Sequence, residues 1–337
     1  MSERLAALQS WLGSEAGLGA SDLEIASGDA SFRRYYRVRK GDETWIAVDA
    51  RPDREDSRPF VKVAGLLGDM GLNVPQVLAS DLDRGFMLLS DLGRQLYLGA
   101  LSDETVDRLY GDALVALVTL QARGPKQREL PPYDRRLLLA EMALFREWLL
   151  GAHLGLSLSG ADHRLLDDVF GLLADSALEQ PRVMVHRDYH SRNLMVTGSN
   201  NPGILDFQDA VIGPVTYDLV SLLRDCYIAW PRQRVEEWAL GYREMARKAG
   251  ILTGDQDNET RWLRWFDWMG VQRHLKAAGI FARLNHRDGK SGYLGDIPRT
   301  LGYVAAVSLR YQELHPLADF LERNLESRWY AEDAQLV

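Results

Sequence analysis

His186, Asp188 and Asn193 stand at the spacing H-x-D-x-x-x-x-N inside His186-Arg187-Asp188-Tyr189-His190-Ser191-Arg192-Asn193-Leu194. A second carboxylate, Asp206, follows the apolar run Gly203-Ile204-Leu205. Two carboxylates and an amide in that order suit transfer of a phosphoryl group from a nucleoside triphosphate to a hydroxyl. Charge on the β- and γ-phosphates must be compensated, and Mg2+ takes hard oxygen ligands. One carboxylate orients the attacking hydroxyl while the other, with the amide, holds the metal. The four residues between Asp188 and Asn193 let one tight loop present both. Taken singly, Asp188 and Asp206 also read as turn residues beside short strands, but that reading leaves the ordered set unexplained.

The elements around this set fall into two kinds. Asp22 to Ser27, Phe32 to Arg39 and Thr44 to Ala50 read as strands, with Lys40-Gly41-Asp42-Glu43 as a hairpin turn. Ser57 and Pro59 open a helix whose apolar residues Phe60, Val61, Ala64 and Leu67 share a face and which Gly71 ends. Val77 to Ala79 and Gly85 to Leu89 read as two further strands. Beyond Asp91-Leu92-Gly93 the pattern turns helical: Ser102 to Arg123, Asp134 to Leu150, Asp162 to Leu178, and from about residue 215 almost to the end. Short apolar runs at 183–185, 194–196 and 203–205 interrupt it around the catalytic set. This predicts a nucleotide-binding β-rich lobe over residues 1–91, with a leading helix, and a helical lobe over 92–337 carrying the catalytic loop and the acceptor site.

Composition narrows the partners. Of 337 residues, 40 are Lys or Arg and 48 are Asp or Glu, a formal charge of −8 that argues against nucleic acid or an anionic membrane. The single cysteine, Cys226, excludes an internal disulfide framework and a cysteine-based zinc cluster. The longest apolar-rich run near a helix length, Leu114 to Leu120, is far shorter than the ~18 residues of a membrane span. Met1-Ser2-Glu3-Arg4 and the run Leu5-Ala6-Ala7-Leu8-Gln9 lack the long apolar centre of a secretory leader. A cytoplasmic enzyme is expected.

The segment Val185 to Cys226 resembles the aminoglycoside phosphotransferase/choline kinase family, kinase-like proteins that act on small molecules. Ile204-Leu205-Asp206-Phe207 and Pro214-Val215-Thr216-Tyr217-Asp218-Leu219 match that family's second metal-binding Asp and the Y-D-L segment after it. The resemblance implies an α/β two-lobed protein-kinase-like fold, with a small antiparallel sheet and a large mainly helical lobe. It implies ATP and Mg2+ as cofactors, Asp188 as catalytic base in contact with the acceptor, and Asn193 and Asp206 as metal ligands. His186 and Asp218 would support the catalytic loop. Four further blocks resemble a narrower group, the bacterial amino-sugar kinases of cell-wall recycling: Gly28 to Tyr35, Val48 to Pro52, Leu89 to Gly93, and Gln272 to Lys276 continuing through Arg299. That resemblance implies phosphorylation of the C1 hydroxyl of N-acetylmuramate and N-acetylglucosamine, with no nucleic-acid, membrane or obligate protein partner. An amino-alcohol or aminoglycoside acceptor on the same fold is the alternative, as is a non-catalytic ATP-binding regulator.

The ATP contacts expected are Gly28 and Ser31 in a turn over the phosphates, Arg33 as a cation, and Ser90 and Leu92 in the connector at the adenine. One departure stands out. The third strand, Trp45-Ile46-Ala47-Val48-Asp49-Ala50, carries Asp49 or Ala50 where kinase-like folds place a phosphate-binding Lys. Either another cation serves (Arg33, Arg34 or Lys62), or the metal carries more of the charge, or the protein is catalytically impaired. Gly289-Lys290-Ser291 is no P-loop, because Leu284 replaces the required Gly and no strand precedes it.

Residues 271–300 hold six basic residues, Arg273, Lys276, Arg283, Arg287, Lys290 and Arg299, against Asp288 and Asp296. They read either as a solvated face or as contacts to the lactyl carboxylate of N-acetylmuramate, with Arg283 and Arg273 as the substrate-binding candidates. Trp262, Trp265, Phe266 and Met269 repeat at helical spacing, as core or as a stacking platform. His190 reads as a loop brace.

Overall fold

The computed structural model of the chain describes residues 3–19, 22–27, 33–125 and 129–329. Its strands among these are β1 (Asp22–Ser27), β2 (Arg34–Lys40), β3 (Glu43–Asp49), β4 (Val77–Asp81), β5 (Phe86–Ser90), β6 (Arg182–Val185), β7 (Leu194–Met195), β8 (Gly203–Ile204) and β9 (Val211–Pro214). Two compact units form. The first takes the described residues up to Ala116 together with Arg192–Asp209, and the second takes Leu117–Ser191 with the described chain from Ala210 onward. These units differ from a single cut at 91/92: the segment bearing Asn193 and Asp206 belongs with the β-rich part.

In the β-rich unit, β1 to β5 make one antiparallel sheet of order β1-β2-β3-β5-β4. Gly41, at φ +62°, turns β2 into β3 in the register Arg34↔Asp49 to Lys40↔Glu43. Leu8, Trp11 and Leu12 of the leading helix Glu3–Ala16 pack with Tyr36, Val38, Ala47, Phe86 and Leu88 of the sheet. The helix Arg58–Asp69 starts after Ser57 and buries Phe60, Val63, Ala64 and Leu67, and Gly71 reverses the chain at φ +81°. The β7–β8 hairpin joins this unit by backbone: Ile204 N–H donates to Asn73 O at 2.8 Å, and Val196 N–H to Gln95 O at 2.8 Å.

In the helical unit, β6 and β9 pair antiparallel from Arg182↔Pro214 to Val185↔Val211. A capping box at Ser159 and Asp162 opens the helix Gly160–Leu178. The helix Glu259–Asp288 is the axis of the unit, capped by the Asn258 side chain at one end and by left-handed Gly289 at the other. Its burial is nearly all-round from Trp262 to Leu284, the pattern of a helix surrounded by others rather than lying on a surface. Trp262, Trp265, Phe266 and Met269 are core residues. Gly279 is required there: a Cβ would lie 2.3 Å from Leu144 C and 2.5 Å from Phe145 N, both backbone atoms. At that crossing the helix Arg135–Leu144 passes into a π-helix, Phe145–His153. The sequence reads as a single α-helix over this stretch, because hydrophobic spacing does not distinguish a locally widened turn. Strand β9 is likewise hidden in the sequence, since Gly213 and Pro214 read as a loop.

Candidate active site

The loop bearing Asp188 leaves β6 in the helical unit and is fixed from behind by a carboxylate. Asp218, fully buried at the start of the helix Tyr217–Leu223, accepts from His186 N–H at 2.6 Å and from Arg187 N–H at 2.9 Å. The pair of bonds holds Arg187 at φ +80°, a left-handed backbone that costs a β-carbon residue about 1–2 kcal/mol. Burial pushes the Asp218 carboxyl up to about 7, against the lowering by its two N–H donors and with the Asp188 charge adding to the rise. His186 completes the brace, its Nδ1 accepting from Asp188 N–H at 3.2 Å.

Asp188 stands half-buried among cations. Burial opposes its ionisation, but Lys276, His190, Arg273 and Arg187 outweigh this and hold the carboxyl down at about 2. Lys276 is itself held by Tyr217 Oη at 2.8 Å and Glu141 Oε1 at 3.3 Å. Glu141 also pairs with Arg187, accepts from Tyr133 Oη, and meets Gln272 Nε2 at 3.4 Å. One buried anion thus balances Lys276 and Arg187, and Asp188 is the remaining counter-charge. Sequence reasoning missed Glu141, and it counted Lys276 as part of a basic segment without a role. The usable signal was spacing: residues 273 and 276 are one turn apart on one helix face.

The other cations of 271–300 have other places. Arg273 is 5% exposed, touches Cys226 Sγ at 3.6 Å, and leaves its buried Nε without a hydrogen bond. Arg283 lies ten residues further, about 15 Å along the helix, half-buried among Arg287, Asp288 and Glu147. Arg287 is exposed and bonds Asp288 at 2.8 Å. Arg299 reaches Asp296 at 3.1 Å and Cys226 O at 2.8 Å. The segment is therefore a solvated face only in part.

In the β-rich unit, Asn193 and Asp206 come together on the β7–β8 hairpin. Leu205 N–H donates to Asn193 O at 2.9 Å, and Asn193 Nδ2 meets Asp206 Oδ2 at 3.3 Å. Gln208 Nε2 donates to Asp206 Oδ1 at 2.8 Å. Asp206 is exposed at φ +62°, while the next residue, Phe207, is buried and stacks on Phe60 at 4.9 Å. A carboxylate beside an amide fits Mg2+, which uses one or two protein oxygens and leaves the rest to phosphate and water. Among the described residues no cluster of three or more His, Cys, Asp or Glu offers a richer metal site.

Gly28 and Ser31 lie outside the described residues. Arg33 is 4% exposed, pairs with Glu55 at 3.3 Å and sits over the Phe60 ring at 5.8 Å. Ser90 bonds Gln76 by backbone at 3.0 Å and by hydroxyl at 2.8 Å. Leu92 is half-buried, its Cδ1 2.9 Å from where a Cβ on Gly203 would be. Arg34 and Lys62 are exposed. The anomaly on β3 has a local answer: Asp49, 4% exposed, is bound by Arg4 of the leading helix, whose Nε lies 3.1 Å from Oδ1. The buried carboxylate is thereby neutralised within its own unit, and Ala50 N–H is taken by Gly85 O at 2.8 Å.

Comparison with known proteins places the chain. The model of the phosphotransferase enzyme family matches residues 22–266. N-acetylmuramate/N-acetylglucosamine kinase of Pseudomonas aeruginosa is 49% identical over 301 residues, covering 89% of this chain and 88% of that one. The protein of the same name from Neisseria meningitidis serogroup B is 44% identical over 320 residues, covering 94% of each. Among solved structures, choline kinase LicA from Streptococcus pneumoniae superimposes with a TM-score of 0.62 at 14% identity, covering 90% of this chain and all of that one. The mixed α/β fold, with its antiparallel five-stranded sheet and large helical part, is that of the protein-kinase-like small-molecule kinases. With a matching family model over most of its length and relatives near half identity, the chain belongs to the phosphotransferase enzyme family.

Proposed function

We propose that the chain transfers the γ-phosphoryl group of ATP to the C1 hydroxyl of N-acetylmuramate and N-acetylglucosamine, in the cytoplasm. The observation that carries this reading is the pair of kinases so named, 44–49% identical over 89–94% of this chain. In the mechanism, the Asp188 carboxylate accepts the hydrogen bond of the anomeric hydroxyl, fixes its lone pair for in-line attack and takes its proton as the bond forms. The anomeric hydroxyl is the most acidic of the sugar, so a carboxylate kept anionic suffices. Asp206 and Asn193 would hold Mg2+, which supplies charge compensation on the phosphates. Arg33, Ser90 and Leu92, with Gly28 and Ser31, are the proposed ATP contacts. His186 and Asp218 keep the loop in place.

A cationic acceptor, as in an amino alcohol or aminoglycoside kinase, would meet Arg273 and Lys276 beside Asp188, which disfavours that alternative. The missing Lys is the motive for a non-catalytic regulator; the Arg4–Asp49 pair accounts for the carboxylate at that place, and turnover decides between the two readings. ATP turnover with N-acetylmuramate, N-acetylglucosamine, choline and an aminoglycoside tests the reading. The amino sugars should be consumed with loss of their reducing ends, since phosphorylation at C1 blocks ring opening. Turnover confined to choline or the aminoglycoside would overturn it.

Acceptor choice follows from the placement of the arginines. Arg273 is the one of the four whose charge acts on Asp188. An Arg–carboxylate contact contributes about 1.5–3 kcal/mol, roughly 10- to 150-fold in affinity. Arg273→Ala should raise KM for N-acetylmuramate by that order and move KM for N-acetylglucosamine little, while kcat falls for both as Asp188 loses a neighbour. Arg283→Ala should show a smaller change, or none. Equal KM changes for both sugars in Arg273→Ala would place carboxylate recognition elsewhere.

A further inference from the structure

Two residues beyond Asp188 on the same loop, the His190 ring meets the Tyr227 ring edge-on, with centroids 5.4 Å apart at 74°. Tyr227 leans on Phe281 at 6.1 Å, and Phe281 stacks on Tyr293 at 5.7 Å and 17°. Phe281 is buried, while Tyr227 and Tyr293 are half-buried, so part of this aromatic cluster is accessible against the loop that carries Asp188. The segment bearing Tyr227 is tied to the catalytic loop. The buried carboxylate of Asp225 accepts from Ser191 N–H at 2.9 Å with one oxygen and from Tyr227 N–H at 3.0 Å with the other. On its far side the segment is held by the axial helix and its successor: His274 Nε2 lies 2.9 Å from Arg224 O, and Arg299 donates to Cys226 O at 2.8 Å. One carboxylate therefore registers the end of the catalytic loop against the aromatic residue.

We infer that Tyr227 is an acceptor-binding residue, the apolar C–H face of the sugar ring packing on its aromatic face while the C1 hydroxyl meets Asp188, and that Asp225 is the residue positioning it. This rests on the proposed amino-sugar kinase activity. It supplies what Arg273 does not, a contact shared by the neutral and the ionised sugar.

The test is steady-state kinetics of the full-length enzyme with ATP and each sugar. Tyr227→Ala should raise KM for both sugars about 5- to 20-fold, with KM for ATP within twofold of wild type. Tyr227→Phe, which keeps the ring, should restore the wild-type sugar KM. Tyr227→Leu, which keeps apolar bulk against Phe281, should behave like the Ala variant and serves if that variant does not fold. Asp225→Asn leaves an amide N–H2 facing a backbone N–H, so one of the two bonds is lost. Its effect on sugar KM should be less than additive with that of Tyr227→Ala, because both act on one contact. Unchanged sugar KM in Tyr227→Ala and Tyr227→Leu, an equal rise in ATP KM, or full additivity would overturn the inference. A wild-type enzyme inert toward both sugars would instead overturn the proposed function.

Discussion

Asp188→Asn should lower kcat by roughly 10²- to 10⁴-fold while leaving KM for ATP nearly unchanged. The amide has the shape of the carboxylate but presents N–H2 where the acceptor hydroxyl needs a lone pair, and it cannot take a proton. Folding should survive, because the loop is held by the Asp218 carboxylate and not by the side chain of Asp188. Loss of reducing ends at saturating ATP and sugar measures the effect. Turnover within about threefold of wild type would remove Asp188 from the reaction as stated.

The surroundings of Asp188 also fix a pH dependence. With its carboxyl held at about 2, Asp188 is ionised throughout pH 5 to 8, and kcat owes no acid limb to it in that range. Lys276 is the largest of the influences that lower it, so Lys276→Met should raise the carboxyl and bring the acid limb of kcat upward by about 1–2 pH units. The direction follows from the mechanism: the protonated carboxyl cannot accept, so activity is lost as pH falls through the raised value. Arg187 remains on Glu141 in this variant, which limits the cost of removing one buried cation. Profiles of kcat carried below pH 4, over the range in which both proteins stay folded, decide it, and identical acid limbs there would show that Lys276 does not act on Asp188.

What the sequence made legible was local. Asp188, Asn193, Asp206 and Asp218 lie within about thirty residues, and their spacing is imposed by the chemistry they would perform. The strands of the sheet were readable because each alternates or ends in turn chemistry, as at Gly41. Glu141 and Asp225 were not readable, because they reach the loop only through tertiary packing, and Lys276 offered only its spacing from Arg273. The helix Glu259–Asp288 misled for a related reason. Its charged residues suggest a solvated stripe, but Arg273 is buried against Cys226 and Lys276 is held by the Tyr217 hydroxyl, which periodicity cannot register. Asp49 is the clearest case. At the place expected for a Lys it read as a defect, and its partner Arg4 sits 45 residues earlier on a different element.

Removing the carboxylate of Asp206 should abolish Mg2+-dependent turnover, and the backbone offers a way to separate that loss from misfolding. Asp206 is exposed, so its side chain contributes little burial, yet its φ of +62° is unfavourable for a residue with a β-carbon. Asn enters this region with little cost, Gly with none, and Ala poorly. The order of thermal stability should therefore be Asp206→Gly at or above wild type, Asp206→Asn near it, and Asp206→Ala below. All three should lose activity by about 10³-fold or more, because Asn193 alone supplies a neutral oxygen where the metal needs an anionic one. Asp209, three residues on and also exposed, is the nearby carboxylate that could substitute, so Asp209→Ala is the control and should stay active. A stable, inactive Asp206→Gly protein would show strained backbone retained for function, the stability–activity opposition expected where a ligand must be held in a left-handed turn. An active Asp206→Gly protein together with an inactive Asp209→Ala protein would move the metal ligand to Asp209.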